Sequence, residues 1–163
     1  MKRLKFMGAL LALFSVSANA QQDPQYTHYM YNTTVINPAY AGSRGVMSVF
    51  GLHRSQWVGL EGAPTTNALS IHTPIQYSKL GVGLSVINDR LGVTEENTIN
   101  VDVSYTVDLN HRGSKLSFGV KGSAHLLNVD YSRLNKYNPN DPLLVENIAN
   151  EFSPNIGAGV YWH

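Results

Sequence analysis

The chain has 163 residues, with 12 basic and 11 acidic side chains, and 14% of its residues are charged, against roughly 25% in ordinary soluble domains. It contains no cysteine, which excludes a disulfide framework and thiol chemistry. Because the charge is sparse and balanced, the sequence offers no basic surface for nucleic acid, and we expect no nucleic-acid partner.

Residues 1–20 have the pattern of a secretory signal peptide. A basic start precedes 11 mostly apolar residues, 6–16, which are too few to span a bilayer. The small residues of "ANA" at 18–20 then predict cleavage between Ala20 and Gln21. The alternative is an N-terminal membrane anchor, whereas a lipid anchor is excluded because no cysteine follows.

The next segment, 21–45, combines an aromatic patch with a turn motif. The patch consists of Tyr26, Tyr29, Met30 and Tyr31. In "NPAYAG" at 37–42, Asn37 suits a helix N-cap, Pro38 suits the first helical position and Gly42 suits the position after the helix. The motif therefore predicts one helical turn or a tight turn that leads the chain into its first strand.

Strict alternation of apolar and polar residues begins after residue 45 and predicts β-strands. It is clearest in 97–109, because a helix would scatter the two sets of residues around its axis. One face there carries Val101, Val103 and Val107, and the other carries Asn100, Asp102 and Ser104. The alternation predicts six strands, at 46–57, 65–73, 79–88, 97–109, 114–128 and from about 155 to the C-terminus.

The connections between the predicted strands alternate in length. Those after the first, third and fifth strands are long, and those after the second and fourth are short. Long strands with alternating short and long connections are typical of outer-membrane barrels. The predicted fold class for 46–163 is therefore an all-β, antiparallel up-and-down outer-membrane β-barrel. A soluble β-sandwich, which also alternates apolar and polar residues, is the alternative.

Six strands are too few to close a barrel, for which about eight are needed. We therefore expect about six strands of an incomplete barrel, and a longer protein of which this chain is the N-terminal part. Because the chain would enter from the periplasm, we expect the odd-numbered connections outside the cell and the others in the periplasm. The outside set lies near 58–63, 89–96 and 129–151, and the periplasmic set at 74–78 and 110–113.

In this topology, residues 22–42 would form an ordered cap or plug at the periplasmic side of the barrel. We expect it to bury Tyr29, Met30, Tyr31 and Tyr40 and to be a candidate contact for periplasmic partners. The alternative is that it only plugs the barrel. At the other end, we expect Arg54, Gln56 and Trp57 at the outer rim, with Arg54 and Gln56 bonded into the following loop. Trp57 suits an interfacial aromatic girdle, or else it packs beneath that loop.

No catalytic motif is present in the sequence. Asp102 and Asp108 share a face but lie roughly 20 Å apart along a strand, too far for a carboxylate pair. His53 and His72 could face each other across the first hairpin, but polar residues of a wet lumen are the simpler interpretation. We predict no enzyme, no metal site and no cofactor.

Six stretches carry a resemblance to a known family. They are "QDPQYTHYMYN" (22–32), "NPAYAGSRG" (37–45), "HRSQWVGLEGAP" (53–64), "GVGLSVINDRLG" (81–92), "SFGVKGSAHLL" (117–127) and "SPNIGAGVYW" (153–162). In order and spacing, the chain resembles the PorP/SprF proteins of the type IX secretion system along nearly all of its length after the signal peptide. The N-terminal motifs are specific, whereas glycine-alternating strands alone would fit many barrels.

The resemblance implies a non-enzymatic protein of the cell outer membrane that serves type IX export and, in some members, gliding motility. The partners it implies are outer-membrane lipid, periplasmic type IX secretion components and secreted adhesin-type cargo. A porin or small-molecule transporter remains an alternative, and a soluble exported β-sandwich that binds a partner is a further one. The family supplies no catalytic or cofactor-binding residues to carry over.

Overall fold

The computed structural model describes residues 31–109, 113–134 and 147–163. Six antiparallel strands follow one another in sequence order within one sheet. They are β1 (Ser48–Ser55), β2 (Thr65–Pro74), β3 (Leu80–Leu91), β4 (Thr94–Asp108), β5 (Lys115–Val129) and β6 (Ile148–Trp162). The predicted all-β, up-and-down architecture is confirmed, and the described sheet is open, with β1 and β6 at its edges. Within the described ranges, no helix has the length and apolar character needed to cross a membrane.

The two faces of the sheet differ as the alternation predicts. On β4, Val101 and Val103 are exposed, whereas Asn100, Asp102 and Ser104 are buried. We call the face that carries these polar residues the inner face and the opposite one the outer face. The predicted separation of the two sets is confirmed. The burial is the reverse of that in a soluble protein, where apolar side chains lie inside.

The connections differ from the prediction at two places. Only Gly92 and Val93 join β3 to β4, so the third connection is the shortest and the predicted alternation of lengths is wrong there. β6 begins at Ile148, earlier than predicted. Polar residues such as Asp89 and Glu96 pair across neighbouring strands instead of forming a loop. A strand can continue past its apolar stretch because the backbone ladder satisfies its own donors and acceptors.

The connections lie at two ends of the sheet. Those after β1, β3 and β5 lie at one end, which we call the loop end, and those after β2 and β4 lie at the turn end. At the loop end, the Gly92 N–H donates to the Gly62 carbonyl over 2.9 Å, and the Asp130 N–H donates to the Val93 carbonyl over 3.0 Å. In the part of the chain that the structure describes, the three connections at the loop end are therefore hydrogen-bonded to one another.

Candidate functional site

The segment 32–42 contains two short helices, which its sequence explains. Helix α1 spans Thr33–Ile36, and a 3₁₀ helix spans Pro38–Tyr40. Asn37 caps the second helix, because its Oδ1 accepts a hydrogen bond from the Ala39 N–H over 3.0 Å. The predicted helical turn is confirmed. Gly42 follows at φ +74°, a backbone conformation that glycine adopts without strain.

The 3₁₀ helix lies across a row of small residues on the inner face. We call this set, which is in register across β2 to β6, the small-residue row: Pro74, Gly81, Ser104, Gly119 and Gly159. A Cβ atom at Gly81, Gly119 or Gly159 would overlap atoms of the segment, including the Ala41 carbonyl, the Ala39 nitrogen and the Asn37 side chain. The missing side chains therefore let the backbone of the segment rest directly on the backbone of the sheet.

Hydrogen bonds join the same segment to strands on both sides of this row. Towards the β1 edge, Ser70 Oγ donates to Asn32 Oδ1 over 2.7 Å, and the Gly42 N–H donates to His72 Nδ1 over 3.2 Å. In the middle, Ser104 Oγ donates to the Ala41 carbonyl over 2.6 Å. At the β6 edge, Asn37 Nδ2 donates to the Val160 carbonyl over 3.0 Å. The segment thus ties β2, β4 and β6 together.

A buried ion pair lies beside the small-residue row. Lys121 Nζ is 3.6 Å from Asp102 Oδ1, and the side chains are 10% and 0% exposed. Lys121 also donates to the Thr34 carbonyl over 3.0 Å and to the Val35 carbonyl, where carbonyl groups at the end of α1 favour a cation. Within the described residues, the Asp102 carboxylate oxygens have no hydrogen-bond partner. Lys121 therefore both neutralises Asp102 and anchors the segment.

Tyr40 shows that the sheet curls around the segment. Its ring makes edge contacts with His72 on β2, at a centroid distance of 5.6 Å, and with Tyr161 on β6, at 5.2 Å. In a flat sheet, β2 and β6 would be four strand spacings, or about 19 Å, apart. This is more than the two centroid distances from Tyr40 added together, so the sheet must bend to bring His72 and Tyr161 to the same ring. The Tyr40 hydroxyl also accepts a hydrogen bond from Arg44 Nε over 3.0 Å. One tyrosine therefore bridges the concave inner face.

The structure brings together some of the predicted cap residues. Asn37, Pro38, Tyr40 and Gly42 lie on the inner face as described above. Tyr31 is 61% exposed, so its predicted burial is wrong. Tyr26, Tyr29, Met30 and the Ala20–Gln21 cleavage site lie outside the described residues. The glycines that alternate with apolar residues at 81–83 and 157–159 predict from the sequence that an inner segment packs closely there, and this is confirmed at Gly81 and Gly159. The sequence did not show that these glycines align with Ser104 and Gly119 in one row.

Towards the loop end, the inner face opens into a cavity of about 200 Å³ that is lined by both polar and apolar residues and bordered by α1. Its lining includes Asp89, Glu96 and His125, and His125 Nδ1 lies 3.3 Å from Glu96 Oε1. The possible pair of His53 and His72 does not form, because His53 is opposite Asn67 and His72 is opposite Ser48. The favoured interpretation, polar residues of a lumen, fits His72 and is wrong for His53. His53 lies on the outer face and His72 on the inner one. Among the described residues, no group of three or more His, Cys, Asp or Glu side chains could hold a metal ion.

The three predicted rim residues stand at the loop end of β1. Arg54 is half-buried on the inner face. The Gln56 N–H donates to the Pro64 carbonyl over 3.0 Å, across the base of the loop. The side chain of Trp57 is 66% exposed and is therefore not packed beneath the loop. Its φ of +49° is uncommon for a bulky residue.

The fold and the site define a membrane-protein architecture, in which an antiparallel sheet turns its apolar face outward and covers its polar face with an N-terminal segment. The family model described as "Type IX secretion system membrane protein PorP/SprF" matches residues 18–163. The chain belongs to this family. Comparison with curated proteins and with solved structures gives no match.

Proposed function

We propose that the chain is a non-enzymatic outer-membrane component of the type IX secretion system, which acts as a scaffold or anchor for export and surface attachment of cargo such as gliding adhesins. Family membership supports the secretion system as its setting. The exposed apolar outer face supports contact with lipid, since strands that face a bilayer carry apolar residues outward and polar ones inward. In this proposal, the turn end lies in the periplasm and the loop end outside the cell.

The observation that carries a scaffold role is the segment 32–42 across the inner face. It is held by the Lys121 contacts and by hydrogen bonds from Ser104 and Asn37. A segment bonded to several strands occupies space that a diffusion channel would leave open. We therefore assign it the role of a cap, and we propose that residues 22–42 contact periplasmic secretion components.

A porin or small-molecule transporter is the second candidate, and the cavity beside α1, whose lining includes charged side chains, is the observation that favours it. The two functions predict different effects when the segment is removed. A porin should conduct more when the segment is removed, whereas a scaffold should lose secretion without gaining conductance.

Deletion of residues 22–36, with the signal peptide and Asn37–Gly42 retained, tests the proposal in the native cell. Because the 3₁₀ helix and its small-residue row remain, we expect the protein to assemble in the outer membrane while cargo export or surface attachment fails. Membrane fractionation and quantification of surface and medium cargo measure the two effects. Normal assembly with normal secretion would contradict the assigned role, and a gain of conductance in planar bilayers would favour the porin.

A further inference from the structure

The turn end of the inner face carries a row of charged and polar side chains. Four residues continue the inner-face alternation of β3, β4, β5 and β6, and we call them the charged row: Lys79, Asp108, Lys115 and His163. Backbone bonds fix their places. The Thr106 N–H donates to the Lys79 carbonyl over 2.8 Å, Asp108 is opposite Lys115, and Lys115 exchanges two hydrogen bonds with His163. The charged row therefore lies on the turn-end side of the small-residue row.

The charged row lines a pocket of about 220 Å³ at the turn end. The lining also includes four residues of the stretch 41–45, which leads from the capping segment towards β1. Because the charged row and the segment both lie on the inner face, the pocket opens into the mouth of the curled sheet. The sheet separates it from anything that contacts the apolar outer face.

Two ammonium groups in this pocket share one carboxylate. Asp108 Oδ2 is 3.9 Å from Lys79 Nζ, and Asp108 Oδ1 is 4.0 Å from Lys115 Nζ. The three side chains are about half exposed, and ion pairs that are so long and so exposed contribute little to stability. Another anion can therefore approach either lysine without breaking a strong contact. The two lysines and the aspartate leave one positive charge in excess, which one further carboxylate would balance.

The surroundings of the two lysines also favour an anion. The hydroxyl groups of Ser43 and Thr106 line the pocket, and hydroxyl and ammonium groups both donate to carboxylate oxygens. Arg44, which stands between two lining residues, adds a third positive charge. Among the described residues, Asp108 is the only acidic side chain at the turn end. The pocket is therefore complementary to an acidic side chain.

We propose that this pocket binds an aspartate or glutamate side chain of a periplasmic protein of the secretion system. The inference rests on the proposed function for its orientation, since the turn end must lie in the periplasm. Lys79 and Lys115 hold the incoming carboxylate, and Asp108 limits its affinity because it competes for the same ammonium groups. The bound partner would contact residues 41–45, which continue the cap. An anionic lipid headgroup is the other occupant that the experiments distinguish.

The first experiment measures how a fluorescent oligoglutamate peptide binds the full chain in micelles, with oligoglutamine as the neutral comparison. Since an exposed charge pair contributes only a few-fold to affinity, Lys79→Gln and Lys115→Gln together should weaken oligoglutamate binding about tenfold. The matched control, Arg90→Gln with Arg133→Gln, removes two exposed positive charges at the loop end and should bind normally. Equal weakening by both double variants, or equal binding of the two peptides, would overturn the proposal.

A further variant separates carboxylate binding from damage to the fold. Asp108→Asn removes the competing carboxylate, so it should strengthen oligoglutamate binding about threefold. A variant that only disturbed the structure would weaken binding instead. Unchanged or weaker binding by Asp108→Asn would show that Lys79 and Lys115 do not hold the peptide carboxylate, even if the lysine variants fail to assemble.

The next experiment asks whether a lipid headgroup occupies the pocket. The native chain and the Lys79→Gln, Lys115→Gln variant are compared in nanodiscs of zwitterionic lipid and in nanodiscs that also contain phosphatidylglycerol. We expect the ratio of their oligoglutamate affinities to be the same in both. If the ratio falls to one when phosphatidylglycerol is present, the headgroup takes the lysines, and the proposed protein partner is wrong.

In the native cell, a photo-crosslinker at Ser43 should capture a periplasmic protein through a peptide that contains aspartate or glutamate. Lys79→Gln with Lys115→Gln should abolish this product while the chain remains in the membrane. A product that persists in that variant, or the absence of any protein product, would contradict the proposal. If deletion of the whole protein leaves export normal, the proposed function fails. Peptide binding judges the pocket separately, because it does not depend on export.

Discussion

The inner and outer faces belong to the same six strands, but different forces keep them in place. On the outer face, Val101 and Val103 are exposed and depend on the surrounding medium. On the inner face, Ser104 and Gly119 are covered by the segment 32–42 through a hydrogen bond and backbone contact. Substitutions should therefore act through the lipid on one face and through the covering segment on the other.

This difference shows that the described part of the molecule is not stabilised by an apolar core. The largest fully buried side chains are Asp102, Ser85, Ser104 and Ser117. A buried polar group is costly unless it is bonded, and a buried charge more so. Loss of one polar partner on the inner face should therefore destabilise the protein more than loss of an apolar side chain of similar size on the outer face.

The largest effect is expected from Lys121→Met. It leaves Asp102 buried without its counter-charge and removes the donor to the Thr34 carbonyl. Removal of one partner of a buried ion pair costs about 3–5 kcal/mol. Denaturant titration in detergent micelles measures this loss of stability. The folded fraction is monitored by the different gel mobilities of the folded and unfolded protein.

The matched control for that pair replaces both charges, with Asp102→Leu and Lys121→Met together. Because no unpaired charge remains, the double variant should regain most of the stability that the single variant loses. A double variant as unstable as Lys121→Met alone would show that the bonds to α1, rather than the neutralised charge, hold the inner face together.

The next largest effect is expected from Val103→Arg on the outer face. This substitution tests whether the outer face contacts lipid when the protein assembles in vesicles. A charged side chain that faces lipid at mid-membrane depth costs about 2–4 kcal/mol. Ser123→Arg is the control, because Ser123 lines the inner cavity, where an arginine meets water and acidic neighbours. Ser104 is unsuitable as the control, since it is buried and bonded to Ala41. Equal assembly of the two variants in vesicles would show that the outer face does not meet lipid.

A smaller effect is expected where the segment rests on the sheet, from Gly119→Val. The new side chain overlaps backbone atoms of Pro38 and Ala39, and such overpacking costs about 1–3 kcal/mol. Gly122→Val on the same strand is the control, because its Cβ would meet nothing within 4 Å. Limited proteolysis should cut the segment in the first variant only. Equal protection would mean that the segment does not lie on Gly119.

The sequence predicted the strands and their faces because alternation is a local signal. It predicted the Asn37–Gly42 turn because capping depends on neighbouring residues. It did not predict that Gly81, Gly119 and Gly159 lie in one row, since that requires the register of several strands. The sequence predicts a loop at the polar ends of β3 and β4, because Asp89 and Glu96 are unusual strand residues. Their place in the strands becomes visible only in the cross-strand pairing.

The smallest effect is expected when an asparagine is changed to alanine on each face, with Asn37→Ala on the inner face and Asn67→Ala on the outer face. The quantity compared is the loss of stability. Asn37 caps the 3₁₀ helix and donates to the Val160 carbonyl, so its loss should cost about 1–2 kcal/mol. Asn67 lies on the outer face, and its exposed side chain bonds to His53 and Asn88. Because water can replace these bonds, Asn67→Ala should change the free energy of unfolding by no more than about 0.5 kcal/mol. Denaturant midpoints of the two variants in the same micelles measure the difference. If Asn67→Ala proved as unstable as Asn37→Ala, polar side-chain bonds would stabilise the outer and inner faces equally. The proposed difference between the two faces would then be wrong.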